Sequence, residues 1–202
     1  MLILFNRTIP VRMARTFWSS GILKLAGVKT IATKGLENID ATKTYVVTSN
    51  HLSYLDIPLL FKTLPFNLYF VAKKQLKGVP FLGWYMMLTG MFFIDGKNKR
   101  KTMESLTLAG KKIKEGKSIL IFPEGTRSKT GNIGDFKKGA FILAVKSEAD
   151  ILPIKITGTG KIWNVKHGIL KPGNVTIQVL KSLPTNSVGN LESSTKLAIS
   201  GL

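Results

Sequence analysis
A single α/β domain, with a mixed, substantially parallel sheet flanked by helices, is what this sequence predicts, with an amphipathic helix ahead of it. Three observations carry that expectation. Short β-branched and apolar runs alternate with longer segments of helical period, the pattern of strand–helix units around a parallel sheet. The length of 202 residues is that of one domain. A hydrophobic share of 44% is enough for one sizeable core. The division falls at Gly27: residues 1–27 form an amino-terminal helical segment and 28–202 the α/β domain.

The opening MLILFNRTIPVRMAR has a short apolar run that Arg7, Pro10 and Arg12 interrupt. It falls short of the ~20 apolar residues of a spanning helix and does not read as a secretory signal. In VRMARTFWSSGILKLAG, Val11, Ala14, Trp18, Ile22 and Leu25 recur at helical spacing, with Arg12, Arg15, Thr16 and Ser19 on or near the other side. Basic residues flanking Trp and Phe suit a helix lying in the plane of a membrane surface. A helix packed on the core would carry the same pattern.

Beyond Gly27 the period changes. VKTIATKGLENI reads as a strand and turn, and KTYVVTSN as a buried strand that places His51 just past its carboxyl end. LDIPLLFKTL is a helix beginning at or near Asp56, with Pro58 tolerable in its first turn. FNLYFVA is the next strand. From Val79 to Asp95 the chain is at its most apolar, and it reads as a helix followed by a short strand, buried or dipping into a bilayer surface. KNKRKTMESLTLAGKKIKEGK is a lysine-rich helix stopping at Gly116, with Met103, Leu106 and Ala109–Gly110 in phase. SILIFPEGTR is a strand running into a polar turn, FKKGAFILAVKSEA a helix and DILPIKITGT a strand. GIL and NVTIQVL read as a pair of strands around the turn KPGN. NLESSTKLAISGL reads as a helix cut short, and the opening as the end of a longer hydrophobic lead.

Charge is the strongest global signal: 30 Lys and Arg against 11 Asp and Glu, a net +19. Such a balance calls for a polyanionic partner: nucleic acid, an anionic membrane surface or phosphorylated substrates. Nothing resembles an RNA-recognition or helix-turn-helix signature, and the aromatic residues sit among apolar rather than basic neighbours, so nucleic acid is not the expected partner. The absence of cysteine excludes disulfides, thiolate nucleophiles and cysteine metal sites. The two histidines lie far apart, so no metal site is expected.

Two stretches beyond the carboxyl ends of strands, where α/β sheets gather ligands, carry chemistry. In SNHLSYLDIP, His51 precedes Asp56 by five residues. Histidine has an unperturbed pKa of roughly 6.5 and exchanges a proton near neutrality, and a carboxylate beside it fixes its tautomer. In IFPEGTRSKTG, Phe122 and Pro123 stop the strand, Gly125 permits a tight backbone, and Arg127 is a forked donor suited to phosphate. Glu124 suits a substrate hydroxyl, or an arginine or lysine to be held. Either stretch alone is also compatible with an ordinary surface turn.

Together they resemble the glycerolipid acyltransferase family, specifically bacterial-type 1-acyl-sn-glycerol-3-phosphate acyltransferases. Asn50, His51 and Asp56 match the first block of that family, and Phe122 through Ser128 match the third without a gap. Leu152, Pro153 and Ile154 match its apolar-Pro-apolar step, and Lys74, Leu76, Pro80 and Gly83 its lysine-leucine-proline-glycine segment. The resemblance covers roughly residues 11–180. One block departs: Gly90, Phe93 and Asp95 are present, but Gly96 stands where the family carries an arginine that helps hold the substrate phosphate. Lys97, Lys99 or Arg100 would have to substitute, without the fork.

The resemblance implies an acyltransferase in phospholipid synthesis. His51 is its general base and Asp56 its orienting partner, with Glu124, Gly125, Thr126, Arg127 and Lys74 binding substrate. No cofactor is implied; acyl-CoA or acyl-carrier protein is a co-substrate. Other implied partners are a lysophospholipid acceptor and an anionic phospholipid membrane, which residues 1–27 would meet at the cytoplasmic face of the cell membrane. Backbone N–H groups near the helix start would hold the oxyanion. Ser53 lies at a variable position and is not expected to be a nucleophile. His167 reads as a surface or packing residue, and Trp18, Trp84 and Trp163 as packing or interfacial residues. Gly96 keeps a different lysolipid acceptor open, and a non-catalytic peripheral lipid-binding protein is the rival from another class.

Overall fold
The computed structural model describes residues 8–96, 98–164, 168–185 and 188–201. Lys97 and His167, and the expectations placed on them and on the first seven residues, lie outside these. The strands are β1 (Val28–Lys34), β2 (Val46–Ser49), β3 (Leu68–Lys73), β4 (Phe92–Ile94), β5 (Ser118–Ile121), β6 (Ile151–Thr157) and β7 (Gly173–Val179). The α-helices are α1 (Thr8–Met13), α2 (Ser19–Leu25), α3 (Asp56–Thr63), α4 (Leu82–Thr89), α5 (Lys99–Lys114), α6 (Gly139–Ser147), the single turn α7 (Thr159–Ile162) and α8 (Val188–Ser200).

The strands form one sheet in the order β1-β7-β6-β2-β5-β3-β4. Every neighbouring pair is parallel except β6 with β7. Every residue of β2 and of β5 is buried, which explains their unbroken apolar text: a central parallel strand is covered on both faces. The edge strand β1 exposes most of its residues, in keeping with its weaker pattern. On α5, Leu106, Ala109, Gly110 and Ile113 face the core while the lysines stay in water.

Two expectations change. GIL does not become a strand of the sheet: Leu170 makes an isolated bridge to Trp163, while β7 inserts between β1 and β6. Three residues offer few ladder bonds, whereas β7 gains partners along both of its edges. At the amino terminus, the helix is interrupted by a π-helical turn, Ala14–Trp18. A π turn holds one residue more than an α turn, so the buried face slips by one position. The buried residues are Val11, Ala14, Ser19, Leu23 and Ala26; of the other residues at helical spacing, Ile22 is half-buried against the core and Trp18 and Leu25 are exposed. The slip turns Phe17 (73% exposed) and Leu25 (83% exposed) outward.

The topology decides where a ligand can sit. From β2 the chain runs through α3 to β3 and β4, returns through α5 to β5 beside β2, then crosses to β6 on the other flank of β2. Strand order therefore reverses around β2, and the carboxyl ends of β5, β2 and β6 stand side by side at the place where open α/β sheets form a crevice.

Candidate active site
Strand β2 ends at Ser49, and the next residue prolongs its pairing with a side chain. Asn50 Nδ2 donates to the Ile156 carbonyl at 2.9 Å, and the Ile156 N–H donates back to Asn50 Oδ1 at 2.8 Å. This two-way bond to β6 fixes where the chain leaves the sheet. His51 follows, and its main chain is gripped from the other side. Its N–H donates to Glu124 Oε1 at 2.9 Å, and its carbonyl accepts from the Ser128 N–H at 2.7 Å. The turn after β5 thus holds the histidine backbone at both ends.

The ring is held as firmly. His51 Nδ1 lies 2.8 Å from Asp56 Oδ2. A carboxylate accepts only, so Nδ1 carries the proton and Nε2 is left with the lone pair that a base requires. Phe122 stacks on the imidazole at 3.9 Å between centroids and 13° between planes. The side chain keeps 16% of its surface exposed, enough for a substrate to reach it.

Asp56 opens α3, as expected, and is wholly buried. Its Oδ2 also accepts from the N–H groups of Leu52 (2.7 Å) and Ser53 (2.8 Å), and its Oδ1 from Thr159 Oγ1 (2.6 Å). Four donors thus converge on one carboxylate. The amides of Leu52 and Ser53, just ahead of the helix, are therefore engaged with Asp56 and are not free to hold an oxyanion. Thr159 comes from the end of β6, where Gly158 turns the chain with φ of 96°. A Cβ there would stand 2.3 Å from the Asn174 carbonyl oxygen, so only glycine makes this turn and delivers Thr159.

The turn after β5 uses its residues unequally. Glu124 is buried, and its second oxygen, Oε2, accepts from the Gly134 N–H at 2.9 Å. Both oxygens thus serve the backbone, so Glu124 braces His51 and the following loop rather than holding an arginine or lysine. Gly125 takes φ of 68°, and Thr126 is exposed beside it. Arg127 lays its guanidinium on the Tyr54 ring, 3.6 Å from the centroid, and Tyr54 leans on Trp163 at 5.1 Å. The Nη1 of Arg127 is buried with no hydrogen-bond partner among the described residues. A buried guanidinium nitrogen without an acceptor is costly unless a ligand supplies one.

Lys74 follows β3, so β5 stands between its strand and β2. Its nearest carboxylate is Asp95 at 3.8 Å, and it is more than half exposed. It is not gathered into the turn with Arg127. Gly96 lies in open space after β4, and Arg100, one of the expected substitutes, faces Glu104 along α5 at 3.5 Å. Ser53 is fully buried and donates to the Trp163 carbonyl at 3.1 Å, a positioning contact. Sequence reasoning missed the roles of Asn50, Tyr54, Phe122, Thr159 and Trp163. A threonine after glycine at the end of a strand was the available signal for Thr159.

Residues 30–157 match the sequence profile of the Acyltransferase family. A 1-acyl-sn-glycerol-3-phosphate acyltransferase of Saccharomyces cerevisiae is 36% identical over 87% of this chain and 58% of its own length. A chloroplastic 1-acyl-sn-glycerol-3-phosphate acyltransferase of Arabidopsis thaliana is 39% identical over 74% of this chain and 42% of its own. The chain thus spans about half the length of these relatives. The crystal structure of the 1-acyl-sn-glycerophosphate acyltransferase PlsC from Thermotoga maritima superposes with a TM-score of 0.83 and 26% identity, covering 96% of this chain and 78% of that one. A histidine clamped between a buried aspartate and an arginine-bearing turn lies within the matched residues, and the match settles the family: the chain belongs to the Acyltransferase family.

Proposed function
We propose that this chain moves a fatty acyl group from a thioester donor, acyl-CoA or acyl-carrier protein, to the sn-2 hydroxyl of 1-acyl-sn-glycerol 3-phosphate, giving phosphatidic acid. The observation that carries the reading is the 2.8 Å contact between His51 Nδ1 and the buried Asp56, beside an arginine whose Nη1 is buried without a partner. The names of the relatives support it. His51 Nε2 takes the proton of the glycerol hydroxyl as its oxygen attacks the thioester carbonyl. The tetrahedral intermediate then collapses, the carbon–sulfur bond breaks, and the imidazolium returns its proton to the departing thiolate. Asp56 stabilises the imidazolium in between. A thioester is reactive enough for direct attack, so no acyl-enzyme is required.

The test is a transfer assay with a panel of lyso-acceptors, with and without phosphate, against acyl-CoA and acyl-carrier protein. Saturable transfer to 1-acyl-sn-glycerol 3-phosphate is the expected result. Gly96 is the residue that makes the other acceptors worth including, and transfer only to a phosphate-free lysolipid would replace the acceptor named here.

The same proposal places the enzyme on an anionic membrane surface. No helix among the described residues is long and apolar enough to cross a membrane. Helix α4 instead exposes Trp84 (56%) and Leu88 (58%), and Phe81 beside it is 78% exposed. The π turn adds Phe17 and Trp18. Helix α4 is tied to α1, which runs into the π turn, since the Tyr85 hydroxyl donates to the Pro10 carbonyl at 3.1 Å. Burial pushes that hydroxyl up to about 12, so it remains a donor at neutral pH. Arg12, Arg15 and Thr16 of the amino-terminal segment and Lys62 of α3 line a shallow cleft of about 350 Å³, and the first acidic residue of the chain is Glu37. Exposed aromatic rings flanked by unopposed cations suit an anionic lipid surface. Each ring buried is worth ~1.5–3 kcal/mol. Replacing Phe17, Phe81 and Trp84 together by serine is therefore expected to weaken partitioning onto vesicles containing phosphatidylglycerol by about three orders of magnitude or more. Unchanged sedimentation with vesicles would remove this face from the proposal.

A further inference from the structure
The departure at Gly96 leaves the acceptor phosphate short of one cation, and the structure offers a replacement that no motif marked. The loop after the Phe122–Ser128 turn folds back over it: the Lys137 N–H donates to the Pro123 carbonyl at 2.8 Å, and Phe136 is buried against Phe141. This backbone fixes where the Lys137 side chain starts, and the side chain crosses directly over Gly125. A Cβ built on Gly125 would meet Lys137 Nζ at 3.0 Å and its Cδ and Cε at 3.3 Å. The ammonium of this exposed lysine is thus laid along the turn that carries Arg127.

Nothing nearby neutralises it. Glu124 gives both oxygens to backbone N–H groups, and Asp135 faces Lys196 at 3.1 Å. Among the described residues Lys137 makes no ion pair. The same turn thus carries a lysine laid across Gly125 and, two residues on, an arginine whose Nη1 is buried without a partner among the described residues, a nitrogen that an anion would satisfy. Of the expected substitutes, Arg100 faces Glu104, and Lys74, expected to bind substrate, faces Asp95.

We propose that Lys137 is the second cation of the acceptor-phosphate site, standing across Gly125 with Arg127 and supplying the charge that Gly96 does not. The assignment rests on the acceptor reading above. Gly125 then has two roles, turning the chain with positive φ and leaving room for the lysine; any side chain there would displace the ammonium. As a point charge, Lys137 selects for phosphate without dictating its orientation, which falls to the fork of Arg127.

The test compares wild type with Lys137→Met, which keeps the apolar stem, and Lys137→Arg, which keeps the charge. Both are checked for an unchanged melting temperature, which the exposed position of Lys137 favours. The Met variant is expected to raise KM for 1-acyl-sn-glycerol 3-phosphate about tenfold, the low end for losing a hydrogen bond to a charged group. The loss should fall in KM rather than kcat, and the Arg variant should recover most of it. KM for the thioester donor should stay within about twofold, the range ordinary scatter would produce, since the donor does not carry the acceptor phosphate. An unchanged acceptor KM in Lys137→Met, with wild type active, overturns the role of the lysine alone. A wild type that transfers to no phosphorylated lysolipid overturns the acceptor reading, and this assignment with it.

Discussion
His51→Ala is expected to abolish acyl transfer while leaving the fold intact. A positioned general base contributes typically ~10²–10⁴-fold, and no second group near the site offers a comparable lone pair. Ser53 is buried and bonded to the Trp163 carbonyl, and Glu124 is bonded to two backbone amides. Stability should change little, because the fold around the histidine does not depend on its ring. Its N–H and carbonyl remain gripped by Glu124 and Ser128, and Asp56 keeps three of its four donors. The informative measurements are the rate of thiol release from acyl-CoA and, separately, the Kd for the lysolipid. A large fall in kcat at nearly constant acceptor Kd would assign His51 to chemistry. Transfer at the wild-type rate would eliminate the mechanism and leave a lipid-binding protein as the surviving alternative.

How much of this was visible in the sequence depends on the range over which each feature acts. The pairing of His51 with Asp56 is local, five residues apart at the start of one helix, and spacing alone suggests it. The buried strands YVV and SILI are equally plain, because covering both faces leaves no polar residue between the apolar ones. Features that depend on other segments were not readable. Thr159 is 103 residues from Asp56 and meets it only because β6 settles beside β2. The bond between Asn50 and Ile156 depends on the same adjacency. Glu124 shows a subtler failure: a carboxylate next to an arginine suggests an ion pair or a substrate contact, but burial turned it to main-chain amides. In the amino-terminal helix the spacing could not show the π turn at Ala14–Trp18, since periodicity arguments assume 3.6 residues per turn and a single π turn shifts everything after it.

Asp56 is the residue at which structure and chemistry are hardest to separate, and two substitutions separate them. In Asp56→Ala three buried donors, the amides of Leu52 and Ser53 and the Thr159 hydroxyl, lose their acceptor together with the histidine. At ~1–3 kcal/mol for each unsatisfied buried group, the loss is a large part of the ~5–15 kcal/mol that holds a domain together. The variant should melt far below wild type or fail to fold. Asp56→Asn behaves differently. Its oxygen can occupy the Oδ2 position and keep the donors from Leu52, Ser53 and His51, while its NH₂ meets the Thr159 hydroxyl, which rotates to accept. The fold should survive with a loss of only ~1–2 kcal/mol, since neutral hydrogen bonds replace charged ones. Catalysis should not survive: a neutral amide cannot stabilise the imidazolium that forms when the hydroxyl proton arrives, and transfer should drop by ~10²–10⁴-fold. Thermal melting of both variants beside their single-turnover rates decides the matter. An Asn variant that is both folded and fully active would reduce Asp56 to a structural clasp, and the proton would then have to be managed by His51 without it.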